Sequence, residues 1–145
     1  MNFVTAIVFI FLISASSIAK AEYNSELLKI AAGGYIITTY LLEVLSKSEC
    51  GYVLANKKFS IDSAIGEVKS YFAQKDIAEL NDFLKSNKFI RDLRQTEEMV
   101  YGVIRGPKPE NIDSKTFCGM LTIKYLEVYQ QVKSKWDYAK SNYSK

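Results

Sequence analysis

After position 24, apolar residues recur at steps of three and four over most of the chain, the spacing of helices that bury one face. Leu27, Leu28, Ala31, Tyr35, Thr38, Leu41, Leu42 and Leu45 form the first stripe. Asn24 or Ser25 is placed to cap it, Glu26 falls in its opening turn, and Gly51 stands where a C-terminal cap belongs. A first helix is predicted over about 25–49. Within it, Ala31-Ala32-Gly33-Gly34 is a small-residue patch, read as a place where another helix packs closely rather than as a hinge or a phosphate loop.

Phe59 followed by Ser60 reads as a hydrophobic staple and cap, opening a second helix along Ile61, Ala64, Ile65, Val68, Tyr71 and Phe72. Asp76 with Glu79 repeats the capping pattern for a third, through Ile77, Leu80, Phe83 and Leu84, with Asn87 expected to end it in a left-handed conformation. Ile90, Leu93, Val100 and Ile104 share a fourth stripe, interrupted by Glu97. Either one helix carries that carboxylate in a buried notch, or Thr96 caps a fresh helix with Glu97 and Glu98 in its first turn. The second account is the expectation, because it explains the acidic pair by dipole chemistry alone. Gly106 and Pro107 end the segment either way.

Asp113 or Ser114 opens the last helix, predicted over about 114–139 and roughly 39 Å long. Its apolar series Phe117, Leu121, Tyr125, Val128, Val132 and Trp136 is the clearest periodicity in the chain. No run alternates with period two, and no Asn-Gly or Asp-Gly hairpin turn occurs.

The 10 residues before position 14 are of another kind. Val4 to Ile13 is almost unbroken hydrocarbon, followed by small residues and Ala19-Lys20-Ala21, the layout of a secretory signal cleaved after Ala21. An uncleaved anchor is the competing account, but the apolar stretch is short for a span and carries hydroxyls. The domain organisation read from this is a signal over 1–21 and one all-α domain over 22–145, with no stable membrane span once the signal is gone.

Export changes the meaning of Cys50 and Cys118, the 2 cysteines of the chain. In an oxidising compartment they are expected to form a structural disulfide, worth roughly 4 kcal/mol in a chain-entropy treatment of so long a loop, with an intermolecular bridge as the alternative. Such a bridge ties the end of the first helix to the start of the last. The fold class follows: all-α, a single-domain bundle of about five helices, two of them long and antiparallel, clamped by one intramolecular disulfide.

Composition removes function classes. The chain has 0 histidines, which excludes His-containing zinc sites and His-activated nucleophiles. Against 16 acidic residues stand 19 basic ones, a balance that does not announce a nucleic-acid partner. The serine-lysine spacing of acylating enzymes occurs only at Ser17 and Lys20, inside the signal, and no acidic calcium loop is present. Glu43, Glu49, Glu97 and Glu98 could supply a carboxylate pair, but helical proteins of this acidity offer such pairs by chance. Neither an enzyme, a cofactor nor a metal is expected.

The surface carries the functional reading. The chain has 10 tyrosines, of which Tyr101, Tyr129 and Tyr138 lie off the core stripes and are interface candidates. The segment 105–113 contains Pro107 and Pro109, displays Arg105, Lys108 and Glu110, and is followed closely by Cys118. A stiff, anchored loop loses little entropy on docking. Lys85, Lys88, Arg91 and Arg94 form a basic cluster, read as a solvated face or as a meeting point for an acidic partner or anionic lipid. The expected function is an exported, periplasmic or secreted binding protein of inhibitor or immunity type that blocks a toxin or hydrolase by protein-protein contact. An envelope chaperone or assembly factor and an apolar-ligand carrier are the alternatives, and a homodimer through the long helices is compatible with all three.

Overall fold

The computed structural model describes residues 20–143 apart from residue 55, with the side chains of 20–24 and 75 outside the description. The expected signal therefore lies almost wholly outside the described residues; its last two positions, Lys20 and Ala21, are seen as the first residues of a helix. In chain order the elements are α1 (Lys20–Lys47), a 3-10 turn (Gly51–Leu54), α2 (Ile61–Tyr71), α3 (Gln74–Lys85), α4 (Asn87–Arg105) and α5 (Ser114–Ser141). Among the described residues there is no strand, and the fold is an all-α bundle.

The first helix begins earlier and ends sooner than its stripe predicts. Asn24 and Ser25 lie inside α1 and so cap nothing, while its C-terminus falls at Lys47. Gly51 is not a left-handed cap either, because no glycine among the described residues has positive φ. It is needed for a different reason: a Cβ there would sit 2.1 Å from the Ser46 carbonyl oxygen. Ser25–Lys47 is long and apolar enough to cross a membrane, yet more than half of its most apolar window is buried inside the bundle.

Ser60 caps α2 as its sequence predicts, accepting a hydrogen bond from the Ser63 N–H at 3.3 Å. A second acceptor comes from outside the helix. The Glu43 carboxylate, about one turn from the end of α1, takes the Ile61 N–H at 2.7 Å. Burial alone would raise the Glu43 carboxyl, but the Lys47 ammonium and that N–H outweigh it and hold it below the usual range.

Two boundaries differ from the reading of caps. Helix α3 starts at Gln74 with Ala73 as an N-cap that makes no side-chain bond, so Asp76 lies within the first turn. Asn87 does not close α3 in a left-handed turn; it opens α4. The joint is Ser86 alone. Its hydroxyl donates to the Phe83 carbonyl at 2.6 Å and accepts from the Phe89 N–H at 3.2 Å, serving the end of one helix and the start of the next. The Phe83 and Phe89 rings meet across this corner with centroids 5.2 Å apart.

Helix α4 is then continuous through the position where a break was expected. Thr96 caps nothing because its hydroxyl donates back to the Asp92 carbonyl at 2.8 Å, a bond that belongs to a helix interior. Glu97 is exposed, not notch-lining, and meets the Tyr40 hydroxyl at 3.3 Å. The last helix opens as predicted, with the Asp113 carboxylate accepting from the Lys115 and Thr116 N–H groups at 2.9 Å.

Cys50 and Cys118 are joined, with their Cα atoms 5.1 Å apart across 68 positions of sequence. Tyr35, midway along α1, meets Trp136 near the end of α5, the rings stacked with centroids 5.9 Å apart. Because the bridge joins the chain just past the end of α1 to the start of α5, while this earlier residue of α1 meets a later one of α5, the two helices are antiparallel. Helix α1 is the hub, packing on α2, α4, α5 and the 3-10 turn, while α3 packs on α4. The core has two parts. One gathers Leu28, Ile36, Val68, Phe89 and Trp136; the other gathers Leu42, Leu45, Leu54, Val100 and Ile104 around the disulfide. The small-residue patch divides its roles. Ala31 and Ala32 are buried as close packing requires, but a Cβ on Gly33 would meet nothing within 4 Å.

Candidate functional site

The segment between α4 and α5 is held at both ends. Gly106 ends α4 by donating its N–H to the Gly102 carbonyl at 2.9 Å, and a Cβ at 106 would stand 2.8 Å from that oxygen. Pro107 and Pro109 forbid further helix, since neither has an N–H to give. Asn111 takes φ of 69°, the left-handed region that asparagine tolerates better than most side chains. The Ile112 N–H closes the turn onto the Pro109 carbonyl at 3.3 Å. Asp113 then starts α5. Hydrogen bonds from the Thr116 N–H, the Thr116 hydroxyl and the Lys115 N–H hold its carboxyl below the usual range.

Both cations of the segment lie over rings. The Arg105 guanidinium stands 4.7 Å from the Tyr101 ring centroid, and the Lys108 ammonium 5.7 Å from that of Phe117. At these distances the ring quadrupole attracts the charge. Lys108 also donates to the Ser114 hydroxyl at 3.0 Å. Glu110 is exposed, as are Pro107 and Pro109. Cys118 lies in the second turn of α5, buried with Cys50 beneath the loop end of the molecule. On the other side of the bridge the 3-10 turn leaves Tyr52 and Val53 exposed. The structure therefore brings Arg105, Lys108, Glu110 and the half-buried Tyr101 together at the disulfide-braced end.

Tyr129 is elsewhere. It is half-buried between the two parts of the core, its ring 6.2 Å from Tyr35 and 5.4 Å, edge-on, from Phe59. Tyr138 is 64% exposed, and with Leu27, Ile30, Ala31, Ser134 and Lys135 it lines an open apolar depression of about 250 Å³.

One polar cluster that sequence reasoning missed joins three helices. Glu67 on α2 accepts hydrogen bonds from the Tyr35 hydroxyl at 2.8 Å, the Trp136 indole N–H at 2.9 Å and the Lys140 ammonium at 2.9 Å. Lys140 is shared with Asp137 at 2.8 Å and lies over the Tyr71 and Trp136 rings. Burial would raise the Glu67 carboxyl, but Trp136, Lys140 and Tyr35 together hold it below the usual range. Burial, and then the Glu67 carboxylate, push the Tyr35 phenol far above its ordinary value. Burial opposes the charge on Lys140, yet Asp137 and Glu67 leave its ammonium raised. Each group is driven deeper into its ordinary charge state, whereas a general acid or base needs a value near the working pH. One signal was present in the sequence: a lone, buried Trp needs a partner for its indole N–H.

Among the described residues, no three His, Cys, Asp or Glu side chains come together as a metal site. Compared with protein-family models, curated proteins and solved structures, the chain finds no match.

Proposed function

We propose that this chain is an exported cell-envelope protein, periplasmic or secreted, that works by protein-protein contact as an inhibitor or immunity-type protein against a toxin or hydrolase. The observation that carries the reading is the segment 106–113, stiffened by two prolines, capped at both ends and backed by the Cys50–Cys118 bridge. A loop already held in one conformation gives up little freedom on entering a cleft. Arg105 and Lys108 are displayed over aromatic rings, ready to meet carboxylates that line such a cleft. The bridge accords with an oxidising compartment.

The test is kinetic. The oxidised chain is presented to any secreted toxin or hydrolase found encoded beside it, and dissociation is followed by surface plasmon resonance. Arg105→Ala, Lys108→Ala and Glu110→Ala are each expected to speed release roughly tenfold or more, in line with a contact residue at an interface centre. Unchanged release in all three would remove the loop from the interface.

A second reading, an envelope chaperone, is favoured by Met120 and Ile123, which are 57% and 60% exposed on one face of α5. It predicts suppressed aggregation of several unrelated unfolded proteins, lost in Met120→Gln with Ile123→Gln.

A further inference from the structure

We infer that the depression between the first half of α1 and the last turns of α5 is a binding site for a medium-chain fatty acid. Leu27, Ile30 and Ala31 supply one side of it, and Ser134, Lys135 and Tyr138 the other. Residues three and four apart share a helix face, so each side is a single stripe. The lining is almost wholly apolar even though three of its residues carry polar groups. Ser134, Lys135 and Tyr138 thus turn hydrocarbon toward the hollow, as lysine and tyrosine do where they lie along apolar surface with their polar tips in water.

An alkyl chain accounts for what the packing of the bundle leaves open. Ile30 is 36% exposed and Tyr138 64%, so apolar area on both sides of the hollow still faces water. The small-residue patch of α1 also finds a use. Ala31 contributes only a methyl to the lining, and Gly34, one turn beyond Ile30, continues the stripe with no side chain at all. The depression measures about 250 Å³. A methylene takes about as much room as a water molecule, roughly 30 Å³, which sets the chain length near about eight carbons.

Charge selects the head group. Among the described residues of the lining, Lys135 alone is charged, and it is exposed. The carboxylates closest to it along the two helices already have lysines. Glu26, one turn before Ile30, pairs with Lys29, which also holds Glu79, and Asp137 is shared by Lys133 and Lys140. One lysine matches a singly charged carboxylate, whereas a phosphate monoester would bring most of a second charge. The site is roughly 30 Å along α5 from Cys118, so the inference does not depend on what the disulfide-braced loop binds.

The test is titration of the oxidised chain with octanoate, hexanoate and octanol, below the concentrations at which they self-associate, followed by amide chemical shifts. Octanoate is expected to give saturable shifts centred on Ile30, Ala31 and Tyr138. It is expected to bind roughly fourfold more tightly than hexanoate, for two methylenes half removed from water. Ile30→Gln is expected to weaken octanoate and octanol alike, with circular dichroism confirming that the helices persist. Lys135→Gln is expected to weaken octanoate about threefold and leave octanol unchanged. Absence of saturable shifts at the depression overturns the inference, as does binding indifferent to chain length or to Ile30→Gln. Tighter binding of octyl phosphate than of octanoate would overturn the choice of a carboxylate. Self-association that Ile30→Gln abolishes, with no response to octanoate, would overturn the inference in favour of a second copy of the chain.

Discussion

The indole N–H of Trp136 donates to Glu67 at 2.9 Å although the two residues lie 69 positions apart, on helices α5 and α2. Trp136 is fully buried, so this bond decides whether a polar atom in the core is satisfied. Replacing Glu67 with leucine would strand the indole N–H and take the Glu67 acceptor from the Tyr35 hydroxyl and from Lys140, which keeps Asp137. A loss of about 1–3 kcal/mol is expected from the stranded indole, read from denaturant unfolding with the single Trp as the fluorescent reporter.

The same carboxylate gives the chain an acid-sensitive element. Its folded pKa lies below the ordinary glutamate value, so the stability it contributes is present above the unfolded pKa, near 4.5, and is lost as pH falls through the folded value. Denaturant midpoints taken from pH 7 down to pH 3 are expected to fall less in Glu67→Gln than in the parent chain. Parallel curves for the two proteins would show that Glu67 does not carry this linkage.

Opening the Cys50–Cys118 bridge releases a loop of 68 positions, for which the chain-entropy treatment gives a loss of about 4 kcal/mol. The double substitution Cys50→Ala with Cys118→Ala is expected to lower the denaturant midpoint accordingly. The loss should concentrate at the loop end, where hydrogen exchange of the 3-10 turn and the first turns of α5 would quicken more than that of α2.

Two glycines should respond in opposite directions. Gly33 lies inside α1 with nothing near its missing Cβ, so Gly33→Ala is expected to stabilise by about 0.5–1 kcal/mol through helix propensity. Gly51→Ala would drive a methyl against the Ser46 carbonyl and is expected to cost about 2 kcal/mol or more. Thermal melts of the two variants, run together, check both signs.

How much of this was legible can be judged residue by residue. Asp113 and Ser60 were readable as caps because a cap bonds to a backbone N–H only two or three residues away. Thr96 and Asp76 carry the same chemical signature, yet neither caps. A hydroxyl inside a helix can return its hydrogen to the previous turn, and nothing in the local string says which bond it will choose. Of the proposed contact residues, Arg105, Lys108, Glu110 and Tyr101 come together because they are close in sequence. Tyr129 leaves them because its helix face turns toward Tyr35 and Phe59, which are remote in sequence.

By itself, the amino-acid string determined the helical class, the two long elements and the pairing of two sulfurs, since apolar period and cysteine count are local or arithmetic properties. The tertiary structure alone decided that α4 runs unbroken, that one serine joins α3 to α4, and that Glu67 gathers partners from α1 and α5. Those outcomes depend on which helix faces meet, and a face is chosen by the packing of all five helices together rather than by any one of their sequences.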